Sequence, residues 1–329
     1  MSQRTHSLRA LALSLFLFAV AGSGFVAAGF AKGSARSEQV ASIATTSTIG
    51  TEVTAPDPTA APGSTTTSGR SVPAEWLGHS NALRAAIGTA DVLGVELTGD
   101  SVAAASLGPG VHDLGMKAPD GEDFVVVSLL PYGEKRGTRL NGYYVGDWPN
   151  PDGKAARYAR PAGFIEVTAA NAEIPVSRNF KLGDFLTHDQ QGVWPKVLVL
   201  QPRLLDKLEL IEGALAARRL PHRLHVMSGF RTPQYNEQGV GPKGGRASLS
   251  RHMYGDASDV FVDADGNGVM DDLNGDGRST VADAQVLLAV ADQVEQDHPD
   301  LIGGLSAYPS NGVHGPFVHV DARGVKARW

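Results

Sequence analysis

The sequence predicts an α+β fold, with a small β-rich domain over residues 76–175 and a larger mixed domain over residues 176–329. Three observations predict it. Short β-branched and aromatic runs, punctuated by Gly, Pro and Asn, fill the first region. A long run with helical spacing, Pro202 to Leu220, opens the second. Beyond it, strand-like runs alternate with Gly-rich turns and a second helical run, Ala284–Val294.

The ends of the chain have a different character. Residues 1–31 read as a targeting segment, with Arg4 and Arg9 before an apolar run that begins at Ala10. A cleaved secretory signal and a retained membrane anchor both suit residues 10–31, and either implies export to the periplasm or cell envelope. In the anchored case the segment is a tether to the inner membrane. Residues 32–75, rich in Ser, Thr, Ala, Gly and Pro, read as a disordered linker because they lack the apolar content to bury a core.

The elements of the first folded region follow in order. Asn81–Ile87 reads as a short helix. Phe124–Leu130, ended by Pro131, and Gly163–Thr168 read as strands, with a turn-rich segment between them at 141–149. The aromatics of that segment suit core and turn positions, or stacking on sugar rings. In the second region Pro221 stops the long helix, Arg223–Ser228 reads as a strand, and Thr232-Pro233 starts a short helix carrying Asn236. The Gly-rich stretch Val240–Ala247 reads as a mobile loop.

Composition narrows the chemistry. The chain of 329 residues is 42% apolar, carries a formal net charge of −6 and contains no cysteine. The absence of a basic excess argues against nucleic acid as a partner. Without thiolates, any metal site must use nitrogen and oxygen ligands. The stretch Ser250–Asp259 supplies both types: it reads S-x-H-x-x-G-x-A-x-D, with His252 and Asp259 separated by small residues and followed by the strand-like Val260–Val262. Imidazole and carboxylate suit a zinc ion, and a catalytic zinc takes three protein ligands. The best third candidate is His319, in Phe317-Val318-His319-Val320-Asp321.

These motifs resemble the zinc D,D-carboxypeptidase and murein endopeptidase family, peptidase family M15 of the LAS group, in the branch ending V-H-x-D. Ser250–Asp259 matches the family's first motif at all five fixed positions, Ser228–Pro233 resembles its S-G-[YF]-R-[ST]-P motif, and His319 matches its last ligand. The resemblance implies an antiparallel sheet with flanking helices in the second domain. It implies zinc on His252, Asp259 and His319, and a substrate carboxylate clamped by the guanidinium fork of Arg231. Ser250 is expected to orient substrate or a loop. The family commonly carries Glu or Asp three residues before the last ligand, and related groups a His two before it; these positions hold Pro316 and Phe317 here. Asp321 and His314 are the candidates for general base, with Asp321 alternatively holding the ligand imidazole.

A second metal signal lies in an insertion at 263–283. Asp272, Asn274, Asp276, Arg278 and Asp283 fall at the ligand positions of an EF-hand-like calcium loop, with Asp283 in place of the usual Glu. The resulting expectation is an exported zinc metallopeptidase cutting an amide bond in peptidoglycan stems or cross-links, as an endopeptidase or a D,D-/L,D-carboxypeptidase, with calcium as a structural ion. The competing expectation is a non-catalytic, zinc-containing murein-binding module.

Overall fold

The fold is set by where paired strands find partners. The computed structural model describes residues 70–93, 107–242 and 244–329. The apolar segment 10–31 and the linker up to residue 69 lie outside the described residues. The strands in chain order are β1 (Arg70–Ser71), β2 (Ala85–Gly88), β3 (Gly110–Lys117), β4 (Asp123–Ser128), β5 (Leu130–Pro131), β6 (Arg139–Leu140) and β7 (Tyr143–Tyr144). They continue with β8 (Gly163–Val167), β9 (Lys196–Leu198), β10 (Leu224–Ser228), β11 (Ala257–Val262), β12 (Gly304–Tyr308), β13 (Phe317–Asp321) and β14 (Ala327–Arg328). The α-helices are α1 (Ala90–Leu93), α2 (Pro202–Ala217), α3 (Pro233–Glu237) and α4 (Val281–Asp297). The mixture is α+β, as the sequence predicts. No helix among the described residues is long and apolar enough to cross a membrane.

Two expectations fail in the first region. Residues 81–87 are not helical: Asn81 takes a left-handed backbone with φ 51°, and Ala85–Gly88 pairs in parallel with Val125–Ser128. Alanine's helix preference yields here to sheet pairing and burial. Residues 70–75 also leave the linker, since Arg70 and Ser71 pair with Met116 and Lys117, and Val72 is buried. The resulting sheet has the order β1-β3-β4-β2, and β5-β8-β9 forms a second, antiparallel one. Asn141-Gly142 makes a tight hairpin between β6 and β7, both residues at positive φ, as a two-residue turn of this hand requires.

The second region is a five-stranded sheet of order β10-β11-β13-β12-β14, antiparallel except where β12 meets β14. α2 begins with Pro202 in its first turn and buries Leu204, Leu205, Leu208, Ile211 and Leu215. Each such fully buried side chain contributes about 1.5–3 kcal/mol. The helix ends at Ala217, short of the predicted Leu220, because Arg219 turns left-handed at φ 59°. α4 buries Leu287, Val290, Ala291 and Val294 and packs against α2, β12 and β13.

The two regions share one hydrophobic core. The indole of Trp148 packs against Phe164 and Phe230 and donates a 2.9 Å hydrogen bond to the carbonyl of Met253. Tyr143 and Trp148 are therefore core residues, which answers the choice between core and sugar stacking for those two. Tyr144 remains exposed.

Candidate metal centre

His252 reaches the site from a short 3₁₀ turn, Arg251–Tyr254, that leads into β11. Ser250 starts that turn, its carbonyl accepting the amide of Met253, and its side chain is buried. Gly255 ends it in the left-handed conformation at φ 72°. A side chain at Gly255 would also collide with the Val199 carbonyl oxygen. Gly255→Ala is therefore expected to lower unfolding free energy by about 3 kcal/mol, combining backbone strain with overpacking, as urea denaturation would measure.

Pairing then brings the three expected ligands together. β11 and β13 are antiparallel, and their register sets Asp259 directly opposite His319. The Nδ1 of His252 donates to the carbonyl of Gly229 at 2.7 Å, which leaves the Nε2 lone pair facing inward. Glycine is required at 229 because a β-carbon there would sit 2.6 Å from Phe185 Cα. His319 presents Nδ1 inward and gives its Nε2 to Asp321 at 3.1 Å.

Three atoms thus face one another. His252 Nε2 lies 3.2 Å from His319 Nδ1 and 3.3 Å from Asp259 Oδ1, and His319 Nδ1 lies 3.0 Å from the same oxygen. All three side chains are buried, and the group can hold a metal ion. The electrostatics suit that role. Burial pushes the His252 imidazole down to about 4, so it is neutral at pH 7 with a lone pair to give. Burial would raise Asp259, but His252, His319 and Arg231 together hold it well below the usual carboxylate range. Burial would lower His319, and hydrogen bonds to Asp259 and Asp321 outweigh that and raise it. A cation between His319 and Asp259 would compete with a proton for the inward Nδ1 of His319.

No protein-family model matches this chain, and no curated protein does.

The geometry of the site redistributes the other predicted roles. Asp321 is not placed as a general base. It is fully buried, accepts from the Gly304 amide at 2.8 Å, is paired with the Arg323 guanidinium, and meets the far nitrogen of His319 rather than the inward one. Hydrogen bonds from His319 and Arg323 overcome the effect of burial and keep its carboxyl strongly ionised. It holds the imidazole, the alternative raised from sequence. His314 is not brought into the cluster either. Its Nδ1 donates to the Gly315 carbonyl, its Nε2 accepts from Asn311, and its ring meets the edge of Phe317. Arg231 does reach the site, but its guanidinium is paired with Asp259 and its Nε donates to Ser228 Oγ at 2.9 Å.

The predicted calcium set does not converge among the described residues. Asp283 is buried and turned to the start of α4, where it accepts the amides of Leu273, Asn274 and Thr280. Its shorter side chain completes a capping box with Thr280 and does not join Asp272 and Asp276. Asp272, Asn274 and Asp276 accept backbone amides within the turn, and Arg278 contributes one of those amides. The acidic side chains that do approach one another nearby are Asp263, Asp265 and Asp271.

Several contributors were missed from sequence. Arg323 and Gly304 hold Asp321, and the Gly229 carbonyl holds His252. Gly229 was visible in the S-G-F-R motif, though not as an acceptor. Arg323 is two residues past Asp321, a spacing that carries no signal of its own.

Proposed function

We propose that this chain is an exported zinc metallopeptidase that hydrolyses an amide bond in peptidoglycan peptide stems or cross-links. The observation that carries the metal is the triangle of donor atoms, with edges of 3.0, 3.2 and 3.3 Å. Ligands about 2.0–2.1 Å from a tetrahedral zinc are separated by about 3.3 Å. Two imidazoles and one carboxylate, with each imidazole anchored through its other nitrogen, match the donor set of zinc better than the all-oxygen set of calcium. Zinc bound there would supply Lewis acidity toward a scissile carbonyl. The substrate class rests on the motifs that resemble murein peptidases.

The chain's own residues have definite tasks in this reading. His252, Asp259 and His319 hold the ion, and the Gly229 carbonyl and Asp321 fix the two rings. Arg231 stands beside Asp259 with a fork suited to a peptide carboxylate. Asp321 faces the outer nitrogen of His319, and His314 is engaged with Asn311 and the Gly315 carbonyl; these contacts favour keeping the murein-binding module as the second reading.

One experiment separates the two. Cross-linked peptidoglycan is digested with the zinc-loaded protein, and the fragments are read by mass spectrometry. Loss of cross-linked dimers is the expected result for an endopeptidase, and loss of a terminal alanine for a carboxypeptidase. Retention of the protein on sacculi with no new fragments would establish the binding module instead.

A further inference from the structure

The face of the sheet around His319 has a gap in it. β12 and β13 pair so that Ser306 lies opposite His319. Gly304 lies two residues away on the same face, so small residues leave space beside the imidazole. β14 runs parallel to β12 at this edge and delivers Trp329 immediately after it. The Trp329 indole fills the gap. Its ring centroid is 5.3 Å from that of His319, and Arg323 Cζ lies 5.6 Å from it. Its Nε1 donates to the Tyr308 hydroxyl, and Ser306 Oγ donates to its backbone oxygen.

The seat is close-fitting. A β-carbon built on Gly304 would lie 3.0 Å from Trp329 Cη2 and 2.7 Å from Arg323 Nη2. Yet Trp329 is 57% exposed, so it adds little to the core. A large aromatic with one edge hydrogen-bonded and one side against a ligand ring acts on that ring more than on the fold. It also lies over Arg323, whose partner Asp321 grips His319 from behind. Excluding water from such a chain strengthens each of its hydrogen bonds.

We propose that Trp329 is a positioning residue of the metal centre, seating the His319 imidazole and shielding the Asp321–Arg323 pair that holds it. This rests on the metal reading above. Residues that orient ligands from outside the coordination shell typically change metal affinity by about 10–100-fold.

The test is zinc release. Purified full-length protein is loaded with zinc, an excess of chromogenic chelator is added, and the release rate is recorded for the unmodified chain, Trp329→Ala, Trp329→Leu and Trp329→Phe. His252→Ala serves as the zinc-free control. Melting of the zinc-free proteins is measured alongside. The expected result is release accelerated about 10-fold or more in Trp329→Ala and Trp329→Leu. Trp329→Phe should restore most of the slow release, since its ring can still sit against His319. Zinc-free melting should stay close to that of the unmodified chain in all three. Unchanged release in Trp329→Ala and Trp329→Leu would overturn the proposal while leaving the metal reading intact. Equal acceleration in all three, or acceleration matched by loss of zinc-free stability, would also overturn it. Failure of the unmodified chain to retain zinc would overturn the metal reading and this one together.

Discussion

Replacing His252 by alanine is expected to leave a protein that is folded, zinc-free and inactive on peptidoglycan. The side chain supplies one corner of the donor triangle, and among the described residues its only other polar contact is with the Gly229 carbonyl. Removing it leaves two ligands, Asp259 and His319, which are still engaged with each other and with Arg231 and Asp321. Loss of a residue that merely orients a ligand costs about 10–100-fold in metal affinity, so loss of the ligand itself should exceed 100-fold. Fold stability should fall less dramatically, because the neighbouring core of Met253, Tyr254, Val260 and Val262 is untouched. Zinc content by elemental analysis, together with the peptidoglycan digestion, checks the expectation. Stoichiometric zinc in the purified variant would refute the assignment of this site.

The second large effect concerns stability. Lys207 on α2 and Glu295 on α4 form an ion pair at 2.5 Å with side-chain exposures of 0% and 2%. The ammonium also donates to the backbone oxygen of Asp321 at 2.6 Å, which ties both helices to the strand that carries His319. Burial pulls the lysine down and Glu295 works against that pull. Glu295 is supported further by Arg328 and by the Gly303 amide. Lys207→Met removes the buried ammonium from Glu295 Oε1 and from the Asp321 carbonyl, and leaves Glu295 with Arg328 and the Gly303 amide. The expected loss is about 3–5 kcal/mol of unfolding free energy, the usual result of breaking a buried pair from one side. The double variant Lys207→Met/Glu295→Gln should recover part of that loss, since no buried charge is left opposite an apolar chain. Guanidinium denaturation of the single and double variants gives the coupling directly. A loss below about 1 kcal/mol for Lys207→Met would mean that water reaches the pair.

The sequence alone marked the residues of the centre, and the β11–β13 register then set Asp259 opposite His319. His252, Asp259 and His319 stand in motifs whose chemistry depends on residue type and local spacing, and both are read along the chain. Strands such as Phe124–Ser128 and the long helix from Pro202 were legible for the same reason, since their periodicity is local. Residues 70–75 and 81–87 were not legible, because their strand character depends on partners far along the chain, Met116–Lys117 and Val125–Val127. The general base and the calcium loop show the same limit at the level of function. Asp321 alternates with His319 as a candidate base should, but only the fold shows its oxygens committed to His319, Arg323 and Gly304. Asp283 fits a ligand pattern, yet the start of α4 takes its carboxylate. What tertiary structure decided was the direction in which each polar side chain is satisfied, because a buried donor or acceptor takes its partner from whatever packing brings near, and packing is not local in sequence.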